Sequence, residues 1–156
     1  MRKIGPFEVS AISLGCMSMS HAYGEPPPAE HSGRVLNEAL DLGYTMLDTA
    51  ALYGFGANET LIGNAIGHRR DEYILASTCS LHGVDGKREL TNTPSKRKQS
   101  SEDSLRRLQT DVIDHFYLHR YDKVTPLEDS IGALSDLVHE GKVREIGLSE
   151  VSAETL

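Results

Sequence analysis

Tyr44-Thr45-Met46-Leu47-Asp48, followed at a distance by Leu61, Ile62, Ala65 and Ile66, decides how this chain folds. The first stretch is a short, mainly apolar run closed by a carboxylate, which reads as a strand. The second puts four apolar side chains on one face at helical spacing, with Asn58 expected as the N-cap of that helix. A strand followed by a helix is the repeating element of βαβ architecture, and the same alternation recurs on both sides of this stretch.

Upstream, Gly5-Pro6 supplies a turn between Arg2-Lys3-Ile4 and Phe7-Glu8-Val9, so residues 2–10 are expected to form a small hairpin, followed by a strand over 11–15. Pro26-Pro27-Pro28 predicts an extended linker into a helix whose buried face is Val35, Leu36, Ala39, Leu40 and Leu42, with Gly43 ending it. Downstream, a third strand is expected over 72–78 and a third helix over 94–108. From Pro94 to Ser104 that helix has no apolar residue larger than proline, which leaves Leu105 and Leu108 to anchor it and predicts weak packing. A fourth strand spans 112–119. The fourth helix opens on a capping-box pattern, Thr125 with Glu128 and Pro126 in the first turn, buries Ile131, Leu134, Leu137 and Val138, and closes at Gly141. A fifth strand over 143–149 leads into a loop and the start of a helix. The fold class is therefore α/β: a single domain, 1–156, corresponding to the N-terminal part of a TIM-type (β/α)8 barrel. It holds about four and a half strand-helix units preceded by the hairpin, where a whole barrel takes ~250 residues. A truncated barrel has open edges at its first and fifth strands, and either association of two chains or a rearrangement of the sheet is expected to cover them.

Composition narrows the function. The 156 residues are 38% hydrophobic and 25% charged, as in ordinary globular domains. A formal charge of −7 with interspersed signs argues against a nucleic-acid surface, and Lys96-Arg97-Lys98 is read as a solvated helix face. No apolar run approaches the ~20 residues that span a bilayer, and the N-terminus lacks a signal peptide's apolar core, so the expected location is cytoplasmic, with no membrane partner. Cys16 and Cys79 are too few for a disulfide framework and are expected to be buried packing residues.

Chemistry in such a barrel gathers at the C-terminal ends of the strands. Those ends read Gly15-Cys16-Met17, Asp48-Thr49-Ala50 with Tyr53 beyond, Ser77-Thr78, His119-Arg120 and Ser149-Glu150. An acid, a phenol and an imidazole on one face make a general acid–base site, although the combination alone is weakly specific. His115 and His119 would be ~13 Å apart along a strand, so no metal site is expected. Gly54-Phe55-Gly56 lacks a dinucleotide fingerprint and reads as a loop, Asn58-Glu59-Thr60 matches a glycosylation sequon by chance, and His21, His31, His68, His82 and His139 are expected to be exposed.

Leu47-Asp48-Thr49-Ala50 with Tyr53-Gly54 and Asn58-Glu59 resembles the signature of the aldo-keto reductases. Leu14 to Ser20, Tyr117-Leu118-His119-Arg120 and Glu140 to Ser149 resemble further stretches of that family, so the similarity runs along essentially the whole chain. The resemblance implies reduction of aldehydes and ketones with NADP(H), without a Rossmann domain, on a small carbonyl substrate. It implies that Tyr53 is the general acid, that His119 orients the carbonyl, and that Asp48 pairs with a lysine that lowers the tyrosine pKa. It places Gly15, Cys16, Met17, Asp48, Ser149 and Glu150 near the nicotinamide and its ribose.

Where the family has that lysine, this chain has Thr78. A hydroxyl donates a hydrogen bond but supplies no positive charge, and an unperturbed tyrosine titrates near ~10, so Tyr53 should be a poorer acid beside an uncompensated carboxylate. Part of the roughly 10²–10⁴ that positioned proton transfer contributes is then at stake. The rival readings are a catalytically impaired or non-enzymatic member with a binding or regulatory role, and an unrelated barrel enzyme using Asp48 and His119 as an acid–base pair.

Overall fold

In the computed structural model, which describes residues 1–84 and 87–156, the hairpin is β1 (Arg2–Ile4) and β2 (Phe7–Val9), turned at Gly5. Five parallel strands form the main sheet in the order β3 (Leu14–Gly15), β4 (Met46–Asp48), β5 (Ile74–Cys79), β8 (Ile113–Leu118) and β9 (Val143–Leu148). Between β5 and β8 lies an antiparallel ribbon, β6 (Leu81–Val84) with β7 (Lys87–Leu90). Four helices, α1 (Ala29–Asp41), α2 (Ala57–Ile66), α3 (Pro94–Leu108) and α4 (Leu127–His139), follow the sheet strands in turn. Each helix touches the next, α1 to α2 to α3 to α4, so all four lie on the same side of the sheet. A one-sided helix layer over a parallel sheet is the wall of a partial (β/α)8 barrel and not a doubly wound sheet.

Strand alternation sorts the side chains. Leu47, Leu75, Phe116 and Leu118 point toward the helices and, with Leu36, Ile62, Ile66, Leu108, Leu134 and Leu137, form the main core. Burying each of these contributes roughly 1.5–3 kcal/mol. On the opposite face Met46 and Ala76 pack with Val9, Phe7 and Ile4, so the hairpin closes the lower end of the barrel interior. The register pairs Gly15 with Asp48, Asp48 with Ala76, and Thr78 with Tyr117, which brings Gly15, Asp48, Thr78 and Tyr117 to that same inner face at the strands' C-terminal ends.

Several local expectations give way to tertiary contacts. The strand expected over 11–15 shrinks to Leu14–Gly15, and that over 72–78 becomes Ile74–Cys79. Gly43 and Gly141 do terminate α1 and α4 with positive φ, donating to Leu40 and Val138 carbonyls, but Leu42 is 80% exposed and Val138 is exposed too. Asn58 is not an N-cap: Gly56 holds that position and Asn58 is buried inside the first turn of α2. The Thr125 hydroxyl does not cap α4 but donates to Asp122, whose carboxylate also accepts from the Val124, Thr125 and Asn92 backbone N–H groups. Gly54-Phe55-Gly56 forms a tight non-helical turn between β4 and α2, with positive φ at all three residues. The ribbon β6–β7 has no counterpart in the sequence reading.

The polar helix α3 is anchored, contrary to expectation, and by polar groups. Arg97 is 1% exposed and donates to the Ser130 carbonyl and hydroxyl of α4, while Ser101 and Ser104 are fully buried. Arg97 is therefore no part of a solvated face. Burial lowers its pKa, and no carboxylate pairs with it among the described residues. Arg107 at the other end pairs with Glu59 of α2 at 2.7 Å. Replacing Arg97 with Ala, which removes both bonds to Ser130 and leaves a cavity, should lower the unfolding free energy by about 2–3 kcal/mol in urea titration. Lys98→Ala on the exposed side of the same helix should leave it nearly unchanged.

Candidate active site

The upper ends of β4, β5 and β8 converge on a cavity of about 200 Å³ lined by Asp48, Tyr53, Thr78, Tyr117, His119, Leu148 and Ser149. Asp48 and Thr78 reach it because both lie on the inner face of their strands, and His119 continues that alternation beyond the end of β8. Tyr53 comes from the short turn between β4 and α2, where the Tyr53 N–H donates to the Ala50 carbonyl. Its ring meets that of His119 edge to face at 6.3 Å and stacks on His21 at 5.9 Å. Thr78 Oγ1 and His119 Nδ1 are hydrogen-bonded at 3.0 Å.

The sequence singled out Asp48, Tyr53, Thr78 and His119, and the fold brings all four together. Ser149 lines the same cavity, while Glu150, with positive φ, is exposed and held at 3.0 Å by Arg120. Gly15 is exposed on β3 in register with Asp48, with nothing within 4 Å of where a Cβ would stand. Cys16 is fully buried, its thiol turned to the Leu14 carbonyl, and Met17 begins a 3-10 turn beside it. Both thiols are buried packing residues: burial pushes Cys16 up to about 12 and Cys79 to about 11.

Three site residues were missed, Leu148 of the cavity wall among them. Tyr117 lines the cavity, and its ring occupies the space a Cβ on Gly147 would need. It sits two residues before His119 in a strand, a spacing that should have placed it on the same face. His21 was expected to be exposed but is half-buried against Tyr53, and nothing in its local sequence marks it. The side chain of His82 lies outside what is described. Among the described residues no group of three His, Cys, Asp or Glu side chains is placed to hold a metal, and no helix is long and apolar enough to cross a membrane.

The electrostatics follow from what surrounds Asp48. Among the described residues its carboxylate has no ion pair and no hydrogen bond, and burial pushes its pKa up to about 6. Tyr53 is also shifted up, by burial first and then by the Asp48 and Cys16 charges. His119 is shifted down by burial and by Arg120 and Arg88, so its imidazole is neutral at pH 7.

Over residues 11–156 the sequence matches the Aldo/keto reductase family. This chain belongs to that family. It is 43% identical over 99% of its length to an aldo-keto reductase of Schizosaccharomyces pombe named for NADP(+). Among solved structures, the holo form of an aldo-keto reductase from Bacillus halodurans superposes with a TM-score of 0.82 at 36% identity over 90% of this chain. A glycerol dehydrogenase from Gluconobacter oxydans superposes at 0.84, 33% identical over 94%. In each case the match covers 46% of the other protein, so the chain spans about half the length of these aldo/keto reductases.

The raised Asp48 pKa has a signed consequence. Between its ordinary value of 3.8 and about 6, the folded chain holds a proton that the unfolded chain has released, so this group's contribution to stability falls as pH rises through that window. Asp48→Asn should remove that slope. Relative to the parent chain it should stabilise the fold above about pH 7 by on the order of 2 kcal/mol and have little effect near pH 4, in urea unfolding across that range.

Proposed function

We propose that this chain carries the carbonyl-reducing site of an NADP(H)-dependent oxidoreductase, converting a small aldehyde or ketone to an alcohol by hydride transfer. The observation that supports it most is the convergence of Tyr53, His119, Thr78 and Asp48 on one cavity at the C-terminal mouth of the sheet. The Schizosaccharomyces pombe relative is named for NADP(+), and a Klebsiella pneumoniae aldo/keto reductase 33% identical to this chain was solved with NADP and acetate.

The residues suit the nicotinamide end of that cofactor. Gly15 presents bare backbone where a flat ring can lie, Asp48 and Ser149 offer polar atoms to a carboxamide and ribose, and Cys16, Met17 and Glu150 border them. When bound, the reduced cofactor supplies the hydride that goes to the carbonyl carbon. The reaction calls for the tautomer in which His119 Nδ1 accepts from the Thr78 hydroxyl bonded to it, so that the Nε2–H of the neutral imidazole donates to the carbonyl oxygen and orients it. Tyr53 gives its phenolic proton to that oxygen as the carbon is reduced, completing the alcohol. The reluctance of Tyr53 to ionise beside Asp48 makes this step slow, and protonation of Asp48 relieves it.

A second reading, cofactor or ligand binding without turnover, is favoured by the same uncompensated Asp48. Fluorescence titration with NADPH and a reductase assay on a reactive aldehyde decide between them. Measurable binding and slow turnover are expected for the parent chain, with kcat/KM rising as pH falls through about 6. Thr78→Lys should raise turnover by about 10²-fold at neutral pH, and Tyr53→Phe should abolish it. Binding without turnover in either form supports the second reading; absence of NADPH binding in both sinks the reductase proposal.

Self-association belongs to the same proposal, because β3 and β9 each have only one sheet partner among the described residues. Light scattering at micromolar concentration should give a species larger than a monomer. A monomer that unfolds cooperatively would overturn this.

A further inference from the structure

The cavity between β4, β5 and β8 has a chemical character independent of any carbonyl reduction. One wall carries the Asp48 carboxylate, which finds no cation or hydrogen-bond donor among the described residues. The other polar groups lining the space are neutral: the Thr78 and Ser149 hydroxyls, the phenols of Tyr53 and Tyr117, and the His119 imidazole, whose Nδ1 is already engaged by Thr78. The nearby guanidinium of Arg120 is held at the rim, bound to Glu150 at 3.0 Å, to the His119 carbonyl and, at 3.5 Å, to the Ser149 hydroxyl, and it makes no bond to Asp48. The surroundings are therefore one half-buried negative charge among oxygen acceptors, with Leu148 as an apolar side wall.

A half-buried carboxylate without a partner loses part of its solvation, and a cation that enters restores it. Size and valence select which one. A hard divalent ion requires about six oxygen ligands and several charges, and one carboxylate does not meet that demand. A primary ammonium carries one charge and three N–H donors, which match a carboxylate and neighbouring hydroxyl oxygens. About 200 Å³ holds ammonium or methylammonium, since a water's share of liquid volume is only about 30 Å³. Leu148 suits the methyl group. We propose that the Asp48 cavity is a binding site for a small primary ammonium ion, held by the Asp48 carboxylate with the Thr78 and Tyr117 hydroxyl oxygens as further acceptors.

The test is thermal unfolding of the 156-residue chain near pH 8 with methylammonium chloride exchanged for sodium chloride at constant ionic strength. With a dissociation constant in the millimolar range, ~100 mM methylammonium should raise the midpoint by about 3 °C. Tetramethylammonium, which has no N–H, should not. The rise should shrink near pH 5, where Asp48 is protonated, and vanish in Asp48→Asn and in Thr78→Lys, whose own ammonium fills the site. If Asp48→Asn does not fold, NMR titration of the parent chain decides, through saturable shifts at Thr78, Tyr117 and His119. Equal stabilisation by tetramethylammonium, persistence in Asp48→Asn, or no shifts at those residues would overturn the proposal. No cofactor or carbonyl enters these measurements, so failure of the reductase reading and failure of this site are separately visible.

Discussion

Asn58 and Glu59, adjacent and fully buried in the first turn of α2, hold the strand ends that make the site. The Asn58 amide donates to the Cys16 carbonyl and the Ser20 hydroxyl, and its oxygen accepts from the Thr49 hydroxyl at 2.6 Å. Glu59 accepts from the Ser77 hydroxyl at 2.6 Å and pairs with Arg107 of α3. Thr49 follows Asp48, Ser77 precedes Thr78, and Cys16 follows Gly15. Two side chains therefore tie down the inner face of β3, β4 and β5 one residue away from each group that lines it. Buried polar networks of this kind are costly unless every member is satisfied, and their return is a unique arrangement of the elements they join.

That arrangement explains why the outline of the fold was legible and its fastenings were not. The order of strands and helices follows from apolar spacing, which depends on each residue's immediate neighbours: Leu47, Leu75 and Phe116 alternate with inward-facing residues, and Leu36, Ala39 and Leu40 repeat at helical intervals. Asn58 looked like a cap because the sequence shows an asparagine before an apolar stripe, whereas its partners lie 9 to 42 residues away. Helix α3 looked loose for the same reason. Its anchors are Arg97 and Arg107, and an arginine in a polar helix gives no local sign that Ser130, 33 residues on, or Glu59, 48 residues back, will receive it.

The site was legible in a similar, uneven way. Residues at strand C-termini are predictable as soon as the strands are, because a barrel exposes those ends together. Tyr117 was within reach of strand parity relative to His119, whereas His21 needed three-dimensional information, since it arrives from a turn after β3 to stack on Tyr53.

Thr78 connects these observations. It stands at the position from which a side chain reaches both Asp48 and His119, and as a threonine it serves only the second. The bond to Nδ1 holds the imidazole's orientation, while the carboxylate across the cavity has no described partner and burial raises its pKa. Geometry and charge have thus been separated at one residue: the hydrogen bond to His119 is intact, whereas no described cation pairs with Asp48, and Arg120, bound to Glu150, lowers the Tyr53 pKa by less than burial and Asp48 raise it. Whatever cation reaches Asp48 therefore acts on Tyr53 as well, because burial makes the charge of either group felt by the other.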